Sequence, residues 1–176
     1  MEPMQRVALI GCGGSGKTTL GRRLAAAIGT QITHLDALYY DDEWNKLPQD
    51  EFAALQEELV TADTWVIDGN YAGTMPIRLR RATHVIFLDL PATTCLWGIA
   101  QRRWHYRGGQ HNETGVYDRI TWGFITYIWG YRRDMAPRVR SLIAEHARHA
   151  QFHIVRSRRA ANRLVNQLVE ATTNDQ

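Results

Sequence analysis

The strongest constraint on this chain is a glycine-rich segment near its N-terminus, at residues 11–18. It reads GCGGSGKT, follows the apolar run VALI, and matches the pattern G-x-x-x-x-G-K-[ST] in full. Glycines let a chain curl until several backbone N–H groups point to one spot, and a following helix turns the positive end of its dipole to the same spot. The segment therefore predicts a buried strand, a phosphate-binding loop and a helix, in that order.

The loop carries the groups that a nucleoside triphosphate requires. We expect backbone N–H groups to hold phosphate oxygens, Lys17 to place its charge on the β- and γ-phosphates, and Thr18 to offer its hydroxyl to Mg²⁺. ATP and Mg²⁺ are therefore the predicted cofactors. The residues predicted to bind ATP are Gly11, Gly13, Gly14, Ser15, Gly16, Lys17, Thr18 and Thr19.

Predicted strands and helices alternate through the remaining sequence. The hydrophobic patterns predict strands at 6–10, 32–36, 64–69, 84–89 and 151–155, and helices at 17–28, 49–60, 75–81, 93–107, 118–131, 136–149 and 159–170. Such alternation is typical of a parallel sheet covered by helices on both faces. The length is that of one domain, so we expect residues 1–176 to form a single α/β domain.

Three aspartates end predicted strands, and they should meet the glycine-rich loop at one rim of the sheet, where such folds bind ligands. Asp68 is favoured as the carboxylate that orients Mg²⁺ through water, because Asp-Gly lets the backbone approach a ligand closely. Asp89 is the alternative, although it serves equally well as the start of a helix. Asp36 either has a function, orienting the hydroxyl of an acceptor or helping to hold the metal, or is only a polar residue at a strand end.

The charge is distributed unevenly. Residues 1–77 contain 5 Lys/Arg against 11 Asp/Glu, whereas residues 78–176 contain 16 against 7. Arg103 and Arg107 share a helical face before a Gly-Gly pair, which predicts a lid over about 103–133 that brings cations onto the transferring phosphate, with Arg133 from the opposite side. Arg102 is interpreted as a solvated neighbour. The basic half could instead lie on nucleic acid or be only a solvated surface.

The composition also limits which classes of protein this chain can belong to. No apolar run reaches about 18 residues, so no membrane span is expected. The opening MEPMQR lacks the pattern of a signal peptide, and two cysteines make no disulfide framework, which together favour the cytoplasm. The seven histidines have no metal-ligand spacing, and those near the C-terminus are interpreted as surface residues. The oligomeric state is left open.

Several segments together resemble one family. They are the glycine-rich loop, HLDALYY at 34–40, Trp44, WVIDGNYAGT at 65–74, IRLRRATHVIFLDLP at 77–91 and RRWHYRG at 102–108. This combination resembles the P-loop kinase-like DNA topology modulation proteins, which belong with the adenylate-kinase-like nucleoside and nucleotide kinases. The resemblance extends over nearly the whole chain. It implies a three-layer α/β/α P-loop NTPase fold with a five-stranded parallel sheet, use of ATP and Mg²⁺, and phosphoryl transfer to a small acceptor.

The resemblance also suggests an acceptor site, with one departure. Asp68 and the following glycine resemble the start of the adenylate kinase motif DGFPR, but Ala72 stands where that motif has its acceptor-phosphate arginine. Arg78, from the next helix, is the candidate replacement. Asn70 and Tyr71 are the further candidates for acceptor binding.

These features predict an ATP-dependent kinase-like protein that phosphorylates a nucleoside, nucleotide or other small metabolite. Lys17, Asp36, Asp68 and the lid arginines are the predicted catalytic residues, and Thr18 and Asp68 are the predicted metal ligands. Two alternatives remain at this stage. One is a nucleotide-dependent DNA-binding regulator, which the basic half favours, and the other is a switch that hydrolyses ATP slowly.

Overall fold

Five parallel strands form the centre of the structure, a computed structural model that describes residues 4–41, 43–105 and 121–174. The strands are β1 (Arg6–Gly11), β2 (Ile32–His34), β3 (Trp65–Asp68), β4 (His84–Leu88) and β5 (Gln151–Val155). The helices described are α1 (Lys17–Ala27), α2 (Leu35–Tyr39), α3 (Gln49–Leu59), α4 (Met75–Leu79), α5 (Ala92–His105), α6 (Trp122–Asp134), α7 (Ala136–His146) and α8 (Arg158–Asn174).

The sheet has the order β2-β3-β1-β4-β5, with β1 at its centre, and all neighbouring strands are parallel. Residues 7–10 of β1 are 0% exposed, so both faces of the sheet are covered, and this explains why the strand is a continuous apolar run. On one side α1 packs against α8, while α3, α4, α7, α6 and α5 contact one another in that order. The predicted α/β fold with a five-stranded parallel sheet is thereby confirmed.

The register of the strands brings the polar residues to one rim. Leu9 and His34 both pair with Asp68 across the sheet, and Gly11 pairs with Leu88. The loop that follows β1 therefore lies beside the ends of β3 and β4. This alignment positions the candidate site described below.

One predicted boundary is wrong. Asp36 does not end a strand, because β2 stops at His34 and Asp36 belongs to the short helix α2. The chain turns early because Leu35 is fully buried and packs beneath the backbone of Gly69, where an added Cβ would lie 2.8 Å from the Leu35 Cβ. Asp36 nevertheless stays at the rim.

Within the ranges described, no helix is both long and apolar enough to cross a bilayer. Residues 106–120 of the predicted lid, Arg107 among them, lie outside the described part of the chain.

Candidate active site

A large cavity opens at the carboxyl ends of the strands. Its volume is about 1450 Å³, which exceeds the range of about 300–1000 Å³ typical for one small ligand and gives room for two. Its wall contains the predicted phosphate-loop residues together with four further sequence candidates, which are Asp36, Asp68, Asn70 and Tyr71. The structure thus brings the proposed donor and acceptor residues to one place.

The glycine-rich loop has a backbone suited to an anion. Gly14 and Gly16 have φ angles of 74° and 94°, in the left-handed region that glycine adopts without a steric penalty. Gly16 is the N-cap of α1, and no side chain caps that helix end. The first N–H groups of α1, which have no partner inside a helix, therefore face the cavity and can bind phosphate oxygens.

The loop rests directly on the backbone of α5. A Cβ added to Gly98 would lie 2.2 Å from the Gly14 carbonyl oxygen, and one added to Gly14 would lie 2.1 Å from the Cys95 carbonyl oxygen. Gly98 was not a sequence candidate, although a glycine inside a helical pattern is a signal of close backbone approach. The phosphate loop therefore depends on α5 for its position. Cys12 and Cys95 are both free and buried at this contact.

A cation and a carboxylate meet at the base of the loop. The Lys17 ammonium donates to the Cys12 carbonyl oxygen at 2.9 Å and lies 3.9 Å from Asp68 Oδ1. The other oxygen of Asp68 is 3.2 Å from Nδ1 of His34. His34, which sequence reasoning missed, therefore orients this carboxylate.

The oxygens near the loop fit a magnesium ion. Asp68 Oδ1 and Ser15 Oγ are buried and have no hydrogen-bond partner within the described residues. A buried carboxylate oxygen without a hydrogen bond has unused acceptor capacity, and Mg²⁺ prefers carboxylates and other hard oxygen ligands. Asp68 and the Thr18 hydroxyl, both in the cavity wall, are the groups that would hold the metal.

Asp36 lies on the wall formed by α2. Its Oδ1 accepts a hydrogen bond of 2.6 Å from the Tyr71 hydroxyl. Burial, followed by the charge of Asp36, raises the pKa of Tyr71 above its usual value, so Tyr71 stays protonated and acts as the donor. The pair gives the cavity a carboxylate whose orientation is fixed.

Asn70 joins this wall to α6. Its Nδ2 donates to the Tyr127 hydroxyl at 2.8 Å, and its Oδ1 accepts from the Tyr131 hydroxyl at 2.9 Å. Burial is the main cause that raises the pKa of Tyr127 to about 12. Asn70 therefore positions α6 against the turn after β3, as well as lining the cavity.

The prediction that Arg78 binds the acceptor is wrong for this arrangement. Arg78 is 0% exposed and is absent from the cavity wall. Its two amino groups donate to the Gln56 side chain at 2.9 Å and to the Gly69 carbonyl at 2.8 Å, and burial lowers its pKa to about 10. Arg78 thus supports the Asp68-Gly69 turn from behind.

The structure also corrects the choice of arginines. Arg103 is exposed and lies outside the cavity wall, whereas Arg102, interpreted as a solvated neighbour, is half-buried and lines it. The reason is that Arg102 follows Gly98 by four residues and so shares the helical face that contacts the phosphate loop. Arg133 is 84% exposed and paired with Asp134 at 2.7 Å, so it does not face the cavity.

Asp89 has a structural environment that differs from that of Asp68. It is 0% exposed, and its Oδ1 accepts from Arg132 Nε at 3.0 Å. Its Oδ2 accepts from Arg140 and lies 3.9 Å from Arg156 Nε. Both oxygens face arginines and neither lines the cavity, so of the two alternatives for orienting the metal the structure favours Asp68.

Three arginines in the cavity wall, besides Arg102, were not sequence candidates: Arg22, Arg138 and Arg158. Arg158 donates to the Gln101 side chain at 3.0 Å, which joins the start of α8 to α5. Arg158 comes shortly after the end of β5. The sequence analysis selected polar residues at strand ends as site candidates, and the same criterion applies to Arg158. The other two depend on which face their helices turn to the cavity.

The fold and the glycine-rich loop place the chain in the class of P-loop α/β proteins, and solved structures of that class resemble it over nearly its whole length. Shikimate kinase from Acinetobacter baumannii, solved in complex with shikimate, matches with a TM-score of 0.60 and 18% sequence identity, covering 99% of this chain and 96% of that one. A gluconokinase from Sinorhizobium meliloti matches with a TM-score of 0.51 and 16% identity, covering 98% of both chains.

A sugar kinase from Janibacter sp. also matches with a TM-score of 0.51 and 16% identity, covering 98% of this chain and 94% of that one. No protein-family model matches the sequence, and no curated protein matches it. The neighbours therefore establish the fold, and the assignment to the DNA topology modulation proteins stays a prediction.

Proposed function

We propose that this protein transfers the γ-phosphoryl group of ATP to a hydroxyl group of a small acceptor, namely a nucleoside, a nucleotide or a related metabolite. One observation supports this most strongly. A single cavity contains an anion-binding loop with Lys17 and Asp68 on one side, and a second oriented carboxylate, Asp36, on another wall. A protein that only bound or hydrolysed ATP would need no second wall of this kind.

The donor side requires positioning and charge, which are the main protein contributions to phosphoryl transfer. The loop N–H groups would hold the phosphate oxygens, and Lys17, now 3.9 Å from Asp68, would contact the β- and γ-phosphates. Thr18 and Asp68 would hold Mg²⁺, which neutralises charge on the phosphate oxygens when bound. His34 keeps the Asp68 carboxylate in orientation.

The acceptor side requires a group that receives or orients a hydroxyl proton. Tyr71 donates to one oxygen of Asp36 at 2.6 Å, and the second oxygen would accept from the hydroxyl of the acceptor. A carboxylate within hydrogen-bond reach of the attacking hydroxyl is the expected arrangement for general-base assistance. We assign that role to Asp36.

Cations on the cavity wall would stabilise charge as the phosphoryl group moves. Arg102 and Arg138 line the cavity and replace Arg103 and Arg133 as the candidates for this role. Arg107, which lies outside the described residues, keeps its predicted role in the lid.

The test is ATP consumption screened against nucleosides, nucleotides and sugars, with ADP release and the phosphorylated product both measured. Lys17→Ala should abolish acceptor-stimulated ADP release, because it removes the charge that would contact the phosphates. It also removes the hydrogen bond to the Cys12 carbonyl, so the unfolding temperature is measured alongside to show that the variant is folded. Lys46→Ala is the matched control, since Lys46 is exposed and is the second of two lysines in the chain. ADP release that no acceptor stimulates would favour the slow ATPase switch instead.

A further inference from the structure

The loop between α2 and α3 contains an unusual backbone conformation. Trp44 has a φ of 66°, and among the described residues it is the one non-glycine residue with a positive φ. A bulky residue pays a steric cost there, because its Cβ approaches the neighbouring carbonyl oxygen. Such outliers persist where the surrounding structure enforces them, and they concentrate at ligand-binding sites.

Hydrogen bonds within the surrounding loop hold Trp44 in this backbone conformation. The Asp41 carboxylate accepts from the Asn45 backbone N–H at 2.8 Å and from its side chain at 2.9 Å, and the Trp44 N–H donates to the Asp41 carbonyl at 3.0 Å. An antiparallel bridge between Tyr40 and Lys46 closes the base of the loop. These contacts therefore hold the backbone conformation at Trp44 without any ligand.

The Trp44 side chain lines the cavity on the wall that carries Asp36. Trp44 is half-buried, and its ring centroid lies 5.1 Å from that of Tyr40, with the two ring planes at 50°. Both residues belong to the cavity wall. Tyr40 follows Asp36 by four residues, which is about one helical turn, or roughly 6 Å along the axis.

Further aromatic residues support this wall. The Tyr39 ring packs 4.7 Å from Phe52 and 4.8 Å from Tyr71, and Tyr71 is the residue that orients Asp36. The carboxylate and the two cavity-lining rings are thus built on one packed aromatic cluster. A ligand that meets Asp36 also meets a rigid aromatic surface about one helical turn away.

We propose that Trp44, supported by Tyr40, stacks on a planar ring of the acceptor, and that the acceptor is therefore a nucleoside whose sugar hydroxyl lies at Asp36. A nucleoside carries both groups that this wall would contact, a sugar hydroxyl for Asp36 and a flat base for Trp44, and both residues line the same cavity. Shikimate and simple sugars have the hydroxyl and lack an aromatic face. This inference rests on the proposed function, and it predicts selectivity within the same site.

The test measures binding separately from phosphoryl transfer. Cytidine, thymidine and adenosine are titrated by calorimetry into protein saturated with Mg²⁺ and a non-hydrolysable ATP analogue, so that the donor side is filled; shikimate and glucose are the comparison compounds. We expect at least one nucleoside to bind, with Trp44→Leu raising its Kd by about 10-fold or more, as loss of base–aromatic stacking does. Trp44→Phe should recover most of the affinity.

Trp129→Leu is the matched control, because Trp129 is 68% exposed and lies outside the cavity wall; it should bind nucleosides like the parent. Trp44→Gly separates a binding role from a structural one. Glycine adopts a positive φ freely, so this variant should keep its unfolding temperature within about 4 °C and still lose nucleoside affinity.

The proposal is overturned if no nucleoside binds at millimolar concentration, if shikimate or glucose binds in preference, or if Trp44→Leu leaves the nucleoside Kd unchanged. These outcomes differ from failure of the proposed function. Phosphorylation of glucose alone would refute the aromatic acceptor and leave the kinase intact. Nucleoside binding that depends on Trp44, without any phosphorylated product, would refute the kinase and leave the stacking wall intact.

Discussion

Replacing Gly98 with alanine tests whether the phosphate loop depends on its contact with α5. The added Cβ would lie 2.2 Å from the Gly14 carbonyl oxygen, whereas contacts below 3.0 Å essentially never occur. The two backbones must therefore separate by about 0.8 Å to reach even that limit. A displacement of about 1 Å in a reacting geometry can lower the rate about 100-fold.

We expect Gly98→Ala to lower ATP turnover by about 100-fold and to weaken ATP binding. The effect on stability should be smaller. Overpacking costs about 1–3 kcal/mol, while alanine regains about 1 kcal/mol of helix propensity, so the free energy of unfolding should fall by no more than about 2 kcal/mol. Steady-state ADP release, calorimetric ATP titration and urea unfolding measure the three quantities.

Gly123→Ala is the matched control. An added Cβ at Gly123, in α6, would meet its nearest atom at 3.8 Å, which is an ordinary contact. This variant should bind ATP like the parent and gain up to about 1 kcal/mol in stability. If Gly98→Ala retained the ATP affinity and turnover of the parent, the argument that α5 positions the loop would be refuted.

Three further predictions concern Asp89, His84 and Tyr71. Asp89→Asn should lower the free energy of unfolding by about 3 kcal/mol, because it breaks a buried ion cluster, and should leave the Mg²⁺ dependence of turnover unchanged; urea unfolding and a Mg²⁺ titration measure these effects. His84 is 2% exposed, and burial lowers its pKa from 6.5 to about 4. The unfolded chain therefore binds a proton that the folded protein excludes, so stability is full above about pH 6.5 and should fall by up to about 3 kcal/mol as the pH decreases to 4; urea unfolding across this range measures it. Tyr71→Phe removes the donor to Asp36 and should lower the turnover number by about 10-fold with little change in ATP affinity, as steady-state kinetics with the acceptor would show.

For each of these three predictions, a second variant or a contrary result tests the physical reason given for it. Asp68→Asn should give the reverse of the Asp89→Asn result, with Mg²⁺-dependent turnover lost and stability largely kept. Carboxylates also titrate near pH 4, so His84→Gln should flatten only the part of the stability curve between pH 6.5 and 5. Turnover in Tyr71→Phe equal to that of the parent would show that Asp36 needs no orientation from this hydroxyl.

The sequence was most informative where short segments determine their own structure. The glycine-rich loop could be recognised from the sequence because its parts are consecutive in the chain. The glycines that curl the backbone, Lys17 and the start of α1 all lie within one short segment. The buried strands were equally recognisable, since a strand covered on both faces is a continuous apolar run. Strand ends then placed Asp68 correctly at the rim, whereas Asp36 lies two residues beyond the observed end of β2.

The sequence was least informative for side chains whose role depends on distant contacts. Arg102 and Arg103 are neighbours of the same type, and which of them faces the cavity depends on Gly98 resting against the phosphate loop. The sequence does not indicate that Arg78 is buried, because its partners, the Gln56 side chain and the Gly69 carbonyl, are distant in the chain. Helical spacing alone gives relative positions on a helix and does not determine which face is buried.

The arginine cluster around Asp89 has a consequence for how sequences of this fold can diverge. Arg132, Arg140 and Arg156 come from α6, α7 and the segment after β5, and all three approach one fully buried carboxylate. Loss of Asp89 alone would leave three like charges facing one another without a counter-charge. We therefore expect relatives that lack this aspartate to lack one or more of the arginines as well, so that four positions far apart in the chain change together.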